Sequence, residues 1–146
     1  MKIEKVSEEF VCEKFKQGFN CAQIVLGYVS DKVDIDNDKA LKISTAFGGM
    51  FGGHICGCVT GAIMAFGLKY GYDEPYAIEQ KNAVLAKKAE FEQKFIAENK
   101  SVVCKEILGY DPSIPEELAI AMKKNLIFTV CPKAVCSACK ILDEIL

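Results

Sequence analysis

The chain has 146 residues and a mass of 16.0 kDa, which is the size of a single domain. Hydrophobic residues make up 51% of it and charged residues 26%, a composition that supports a packed core and excludes a disordered chain. Eighteen lysines nearly balance twenty acidic residues, and arginine is absent. The net charge of −2 excludes the strongly basic surface that is typical of nucleic-acid-binding proteins.

The spacing of hydrophobic residues predicts helices along the whole chain. Residues 2–29 follow one amphipathic helical pattern, which Gly18 and Asn20 would kink or break. Residues 34–38 read as a turn and helix cap. Further helices are predicted, in chain order, over 39–47, over about 56–68, from Pro75 to about Asn99, over 101–109 with Ser101 as its cap, from Pro115, and from Pro132.

No segment shows the sustained alternation of apolar and polar residues that marks strands, although residues 127–130 form a short apolar run that is compatible with an extended conformation. We therefore predict an all-α fold and a single domain over residues 1–146. The expected architecture is a compact bundle of about five to seven helices, with a glycine-rich loop over 48–53 before a central apolar helix.

The segment from Ile43 to Leu68 contains no Asp, Glu or Lys and is long enough to cross a membrane. The paired glycines at 48–49 and 52–53 are unsuited to a helix interior, so we expect no membrane insertion and a close helix crossing at Gly57 and Gly61 instead. The opening residues, MKIEKVSEEFVCEKF, lack the apolar run of a secretory signal. The sequence therefore predicts a cytoplasmic protein, whose thiols are kept reduced.

Eight cysteines in 146 residues are fewer than a small disulfide-stabilised scaffold contains. They are nevertheless more than is usual for a cytoplasmic protein, so they need another explanation. Their spacing contains neither the paired C-x2-C clusters of a zinc ribbon nor the cysteine run of a bacterial ferredoxin. No glycine pattern indicates a nucleotide-binding loop. His54 is the only histidine, so a metal centre in this chain would be held by sulfur.

Three cysteines fall at or near predicted helix starts, namely Cys56, Cys104 and Cys131. The partial positive charge of a helix N-terminus favours a thiolate over a thiol, as a metal centre or a redox pair requires. On one continuous helix, Cys12 and Cys21 would lie on opposite sides, so at most one of them could face a shared site. The alternative for each cysteine alone is that it packs as a small core residue.

Cys136 and Cys139 form a C-x2-C motif on the last predicted helix, which places both sulfurs on one face. The thioredoxin version of this motif follows a strand in a βαβ unit, which this region lacks. Core packing and chemistry therefore remain equally good explanations for this pair.

Four tracts of the sequence resemble one family when they are taken together: Gly18–Gln23, Cys56–Ala62, Cys104–Gly109 and Cys131. They are similar to the C_GCAxxG_C_C family, whose members have about this length and are described as redox-active. The resemblance implies that the four family cysteines correspond to Cys21, Cys56, Cys104 and Cys131, and the family glycines to Gly57 and Gly61. The family usually has alanine at position 58, so Cys58 is an additional thiol: a fifth ligand, a substitute ligand or a packed residue.

The favoured function is electron transfer or redox sensing through an iron–sulfur cluster or a similar thiolate-ligated metal centre. The resemblance implies Cys21, Cys56, Cys104 and Cys131 as cofactor ligands, with Cys58 as a further metal-binding candidate. A related domain in split-Soret cytochromes, which are associated with an iron–sulfur cluster, points the same way. The alternatives are metal-free thiol–disulfide exchange and a zinc- or copper-binding module.

The sequence leaves the partners of the protein open. An unidentified redox partner protein is expected, and no nucleic acid. The long helix over 75–99 carries an apolar face that suits either the core or a homodimer. If the protein is an enzyme, it would be an oxidoreductase.

Overall fold

The computed structural model describes residues 2–49 and 54–146. Within these residues the fold is all-α, as predicted, with eight α-helices, one more than the upper limit of the expected range. The helices are α1 (Glu8–Lys16), α2 (Cys21–Val29), α3 (Asn37–Ile43), α4 (Gly57–Tyr70), α5 (Ile78–Asn99), α6 (Cys104–Leu108), α7 (Pro115–Lys123) and α8 (Val130–Ile145), and a 3-10 turn over Ser30–Val33 follows α2.

Residues 2–29 contain two helices instead of one continuous helix, and the break expected near Gly18 and Asn20 is confirmed. Gly18 has φ +95°, a left-handed conformation that glycine adopts readily, and α1 ends before it. Asn20 then caps the start of α2. Cys12 and Cys21 therefore lie on different helices, and the comparison of their faces on one helix does not apply.

Other boundaries differ from the prediction by a few residues. Helix α5 begins at Ile78 rather than at Pro75, since Tyr76 has φ +64° and cannot continue a right-handed helix. Residues 127–129 form a turn, and α8 begins at Val130, so the predicted start at Pro132 is two residues late. Val103, not Ser101, occupies the N-cap position of α6.

The centre of the fold is the contact between α2 and α4, and most of the apolar residues of these two helices are buried. Gly61 permits this contact, because a Cβ atom there would lie 3.0 Å from the carbonyl oxygen of Ala22 and 3.1 Å from Cβ of Val25. This confirms the predicted close crossing. Helix α4 also packs against α5, where Phe66 meets Phe91 edge-to-face at 6.0 Å between ring centroids. Burying each such ring stabilises the fold by roughly 1.5–3 kcal/mol.

Helix α8 completes the core by packing against α1, α2 and α5. None of the helices in residues 2–49 and 54–146 is long and apolar enough to cross a membrane. Of the predicted glycine-rich loop, Gly48 and Gly49 are described, whereas residues 50–53 lie outside the described residues. The assignment of residues 1–146 to one domain stays a prediction.

Candidate functional site

A single cavity of about 230 Å³ is lined by Cys21, Cys56, Cys104 and Cys131. Each of these cysteines lies at or next to the start of a different helix: α2, α4, α6 and α8 respectively. The four predicted cofactor ligands are thus brought together, although they are widely separated in the chain. Cys12, Cys136 and Cys139 are not part of the cavity wall, and neither is His54.

Cys21 is positioned by a capping box at the start of α2. The Asn20 side chain accepts a hydrogen bond from the Gln23 backbone N–H at 3.1 Å, and the Gln23 side chain accepts one from the Asn20 N–H at 3.0 Å. The Asn20 amide also donates to the Thr45 carbonyl at 2.7 Å. These contacts fix the first turn of α2 on the segment that follows α3, and Cys21 with it.

Two glycines allow the chain to approach the cysteines closely. A Cβ atom at Gly57 would lie 2.9 Å from Cβ of Cys21, and one at Gly49 would lie 2.4 Å from Cβ of Cys104. Any larger residue at either position would have to displace a cysteine of the cavity. Both glycines therefore contribute to the shape of the cavity wall.

A short antiparallel bridge between Ile55 and Val103 joins Cys56 to Cys104. The Cys56 N–H donates to the Val102 carbonyl at 2.8 Å, and the Cys104 N–H donates to the His54 carbonyl at 2.6 Å. Each cysteine follows the bridge directly and begins, or caps, the next helix. The bridge therefore sets the position of two ligand candidates at once.

Cys131 lies in the first turn of α8, immediately after a turn that contributes Phe128 to the cavity wall. Phe128 packs edge-to-face against Phe15 of α1, with 6.3 Å between the ring centroids. The Cys12 thiol donates a hydrogen bond to the Phe128 carbonyl at 3.3 Å. Cys12 thus supports the wall from outside the cavity.

Burial and thiol–thiol contacts shift the pKa values of Cys56, Cys104 and Cys131 in different directions. A hydrogen bond from the Cys58 thiol lowers the pKa of Cys56, and the N–H groups of Cys58 and Val59 add to this effect against the opposing effect of burial. Burial, followed by negative charge at Cys56 and Cys21, raises the pKa of Cys104 to about 12. The same causes raise the pKa of Cys131. Of the three cysteines predicted at helix starts, Cys56 alone has a lowered pKa, mainly through the Cys58 thiol, whereas burial outweighs any helix-start effect at Cys104 and Cys131.

Cys58 is completely buried on α4 and is not part of the cavity wall. Burial raises its pKa well above the usual value, and hydrogen bonds to Cys21 and Cys56 raise it further. Cys58 therefore stays protonated and lies behind two of the cavity cysteines as a hydrogen-bond donor. Its role as a direct metal ligand stays a prediction.

No group of three or more His, Cys, Asp or Glu side chains within residues 2–49 and 54–146 is arranged to hold a metal ion. The four cavity cysteines share the wall of one cavity. All eight cysteines are free thiols.

Sequence reasoning missed two parts of this site. Asn20 was interpreted only as a helix breaker, although the spacing Asn20-x-x-Gln23 is the signal of a capping box. The aromatic part of the wall was missed as well: Phe15 was assigned to the helical pattern over 2–29 and Phe128 to the apolar run over 127–130, because no local pattern separates a residue that lines a cavity from one that packs.

A family model described as "Putative redox-active protein (C_GCAxxG_C_C)" matches residues 19–145. No curated protein and no solved structure shows a significant match to the chain.

Proposed function

Because the chain belongs to the C_GCAxxG_C_C family of redox-active proteins, we propose that it holds an iron–sulfur cluster and acts in electron transfer or redox sensing. The ligands would be Cys21, Cys56, Cys104 and Cys131. The observation that carries the proposal is that these four thiols, from four separate helix starts, line one cavity. When bound, such a cluster supplies one-electron transfer.

The chemistry of the cavity wall fits an iron–sulfur cluster. Cysteine thiolates are the usual ligands of iron–sulfur clusters, and burial in an apolar cavity and hydrogen bonds to sulfur tune the potential. The Cys58 thiol carries one S–H proton and supplies one such hydrogen bond, to the sulfur of Cys56 or of Cys21. The glycines at positions 49 and 57 let the backbone lie directly against Cys104 and Cys21.

A cluster suits this arrangement better than a single zinc or copper ion. A tetrahedral zinc site needs four sulfurs at about 2.3 Å from one point. The side chains of the described residues do not meet that requirement, whereas the four thiols line a cavity of about 230 Å³ that has room for a group of several atoms.

The proposal includes a cytoplasmic location and a redox partner protein. Its support is that all eight cysteines are free thiols, the state in which the cytoplasm keeps them.

The direct experiment is to purify the protein without oxygen and measure iron, acid-labile sulfide and visible absorbance. The Cys104→Ser variant should lose most of the iron, while Cys136→Ser should retain it. Both cysteines are partly buried, but only Cys104 lines the cavity, so the pair is matched. Wild-type protein without iron and sulfide would refute the cluster, and equal iron loss in both variants would refute the ligand assignment.

A second function is favoured by the pair Cys56 and Cys58. A thiolate at Cys56, stabilised by the Cys58 thiol, would attack a partner disulfide and release one partner thiolate. A second cysteine would then lose its proton to solvent and displace the other partner thiolate. Two electrons would pass to the partner, and an internal disulfide would remain. Free-thiol titration of metal-free protein before and after mild oxidation tests this, because unchanged thiol content excludes it.

A further inference from the structure

We infer that helix α5 pairs with the α5 helix of a second copy of this chain, in an antiparallel orientation centred on Lys87. This dimer goes beyond the proposed function and is independent of it, because no residue of α5 is among the described residues that line the cavity. Three observations support the dimer: the exposure of α5, the spacing of the residues on its outer side, and the charges beside them.

The first half of α5 has little contact with the rest of the fold. The helix runs from Ile78 to Asn99, but its buried residues are only Phe91 and Phe95, both in the second half. In the stretch 78–90, which the structure describes in full, no residue is buried. This stretch is roughly 20 Å of helix at about 1.5 Å per residue. A helix gains most of its stability from packing one of its faces, so a partner on this stretch would stabilise it.

Six residues on the outer side of α5 have the spacing of a coiled coil. Phe91 marks the side that faces the core, and the six lie between about 100° and 200° from it around the helix axis. The steps between them alternate between four and three residues, as in a heptad repeat. We call these residues the outer stripe: Ile78, Asn82, Leu85, Ala89, Glu92 and Ile96. Its three large apolar side chains are 67%, 51% and 42% exposed in the single chain, in the order Ile78, Leu85 and Ile96.

The order of residues in the outer stripe suits an antiparallel partner. Residues at equal distances on either side of Lys87 would face each other across the dimer. The layers are then Ile78 with Ile96, Asn82 with Glu92, and Leu85 with Ala89. Isoleucines meet at both ends, a large side chain meets a small one near the centre, and the Asn82 amide would donate to the Glu92 carboxylate of the partner. A parallel partner would instead place the two Glu92 carboxylates together, which is unfavourable.

Charges along α5 favour the same orientation. The stretch 78–88 has three lysines and one glutamate, whereas the stretch 89–99 has three glutamates and one lysine. Antiparallel pairing therefore places a positive half against a negative half. Lys81 lies six residues before Lys87 and Glu92 five residues after it, so Lys81 would face the Glu92 of the partner. Glu92 already lies 3.7 Å from Lys88 of its own helix, and its carboxylate would then have a cation on each side.

Sedimentation velocity of the wild-type protein tests the dimer. The protein should be prepared without oxygen and kept with a thiol reductant, so that disulfide-linked dimers do not form. We expect a reversible equilibrium between monomer and dimer, with a dissociation constant on the order of 10 μM, because one helix pair is a small interface. A protein that is still monomeric at about 300 μM, well above that constant, would overturn the inference.

Two isoleucines give a matched pair of variants. Ile96 on α5 and Ile120 on α7 are both 42% exposed, but only Ile96 belongs to the outer stripe. Ile96→Glu should raise the dissociation constant of the dimer by about tenfold or more, because a carboxylate would be placed against an apolar side chain. Ile120→Glu should leave it unchanged. Circular dichroism at a concentration where the protein is monomeric checks that both variants keep their helices. Equal effects of the two substitutions would overturn the inference.

A charge reversal tests the orientation. Lys81→Glu should weaken the dimer several-fold, because two carboxylates would then face each other. The double variant Lys81→Glu/Glu92→Lys should recover most of the affinity, since the pair across the dimer is restored with its charges exchanged. In a parallel dimer these two positions would not meet, so the double variant would show no recovery. A dimer that Lys81→Glu leaves unchanged, or that the double variant does not restore, would overturn the antiparallel pairing.

Discussion

Gly57 lies directly against Cys21, so that a Cβ atom at Gly57 would be 2.9 Å from Cβ of Cys21 and 2.8 Å from the backbone nitrogen of Ala22. Real Cβ atoms do not approach other atoms this closely. The start of α4 is therefore placed against the start of α2 by the absence of a side chain at one position. Because Cys56 precedes Gly57, this contact also sets the separation of two cavity cysteines.

The Gly57→Ala substitution should destabilise the protein by about 1–3 kcal/mol, since the new methyl group must push α4 away from α2. Gly67→Ala is the control on the same helix, because Gly67 is exposed and a Cβ atom there would meet nothing within 4 Å. It should stabilise the protein by up to about 1 kcal/mol, since alanine favours helix. Urea unfolding measures both changes, and a neutral Gly57→Ala would contradict the close contact.

Asn20→Ala should cost roughly 1–3 kcal/mol, because it removes the helix cap and the hydrogen bond to the Thr45 carbonyl together. Ser7→Ala removes an exposed cap from α1 and should cost only about 0.5–1 kcal/mol. Asn20→Ala should also lower the iron content of protein prepared without oxygen, since Cys21 loses its support. Equal iron content in the two variants would show that the capping box does not position Cys21.

Cys58→Ala should make the potential of the proposed cluster more negative by about 40 mV, the equivalent of one hydrogen bond of about 1 kcal/mol in a one-electron couple. Cys58→Ser keeps a donor at the same position and should restore most of the potential. Cys139→Ala is the control, because Cys139 is similarly buried but its thiol interacts with Cys136 and Asp143 instead of with a cavity cysteine. Redox titration followed by visible absorbance measures all three, and an unchanged potential in Cys58→Ala would refute the donor role.

Tyr28 should titrate apart from the other tyrosines. Burial, followed by the hydrogen bond to Asp143 and the charge of that carboxylate, raises the pKa of Tyr28 from 10.0 to about 12. Because the folded state holds this proton more tightly than the unfolded chain, the contribution of Tyr28 to stability is complete below pH 10 and is lost between about pH 10 and 12.

Alkaline difference absorbance of the five tyrosines measures this titration. The step near pH 12 should be absent from Tyr28→Phe and should move toward pH 10 in Asp143→Asn, which removes the charge. A wild-type curve without a late step would contradict the prediction.

The sequence alone was sufficient for the fold class and for the four cavity cysteines, for different reasons. Periodicity reveals helices because each helix must bury one face. The cysteines Cys56, Cys104 and Cys131 were found because Gly, Ser and Pro lie within a few residues of the helix starts, although Ser101 does not cap α6 and Pro132 does not begin α8, while Cys21 needed the resemblance to a family.

Contacts between segments that are distant in the chain could not be predicted from the sequence. The bridge between Ile55 and Val103 joins two short apolar runs that carry no strand pattern, and it forms only because the packed helices bring them together. The acidity of the thiols could not be predicted from the sequence either, since it depends on burial. Helix position alone predicted thiolates at Cys104 and Cys131, whereas burial raises the pKa of both thiols. The donor role of Cys58 is a tertiary property for the same reason.

At least 26 residues separate any two of the four cavity cysteines along the chain. A group bound to all four would therefore close three long loops and tie together helix starts that the backbone leaves far apart. Loss of that group would remove every one of these cross-links at once. An oxidant that destroyed the centre would then also shorten the lifetime of the protein against proteases, so that damage to the cofactor and turnover of the chain would be linked.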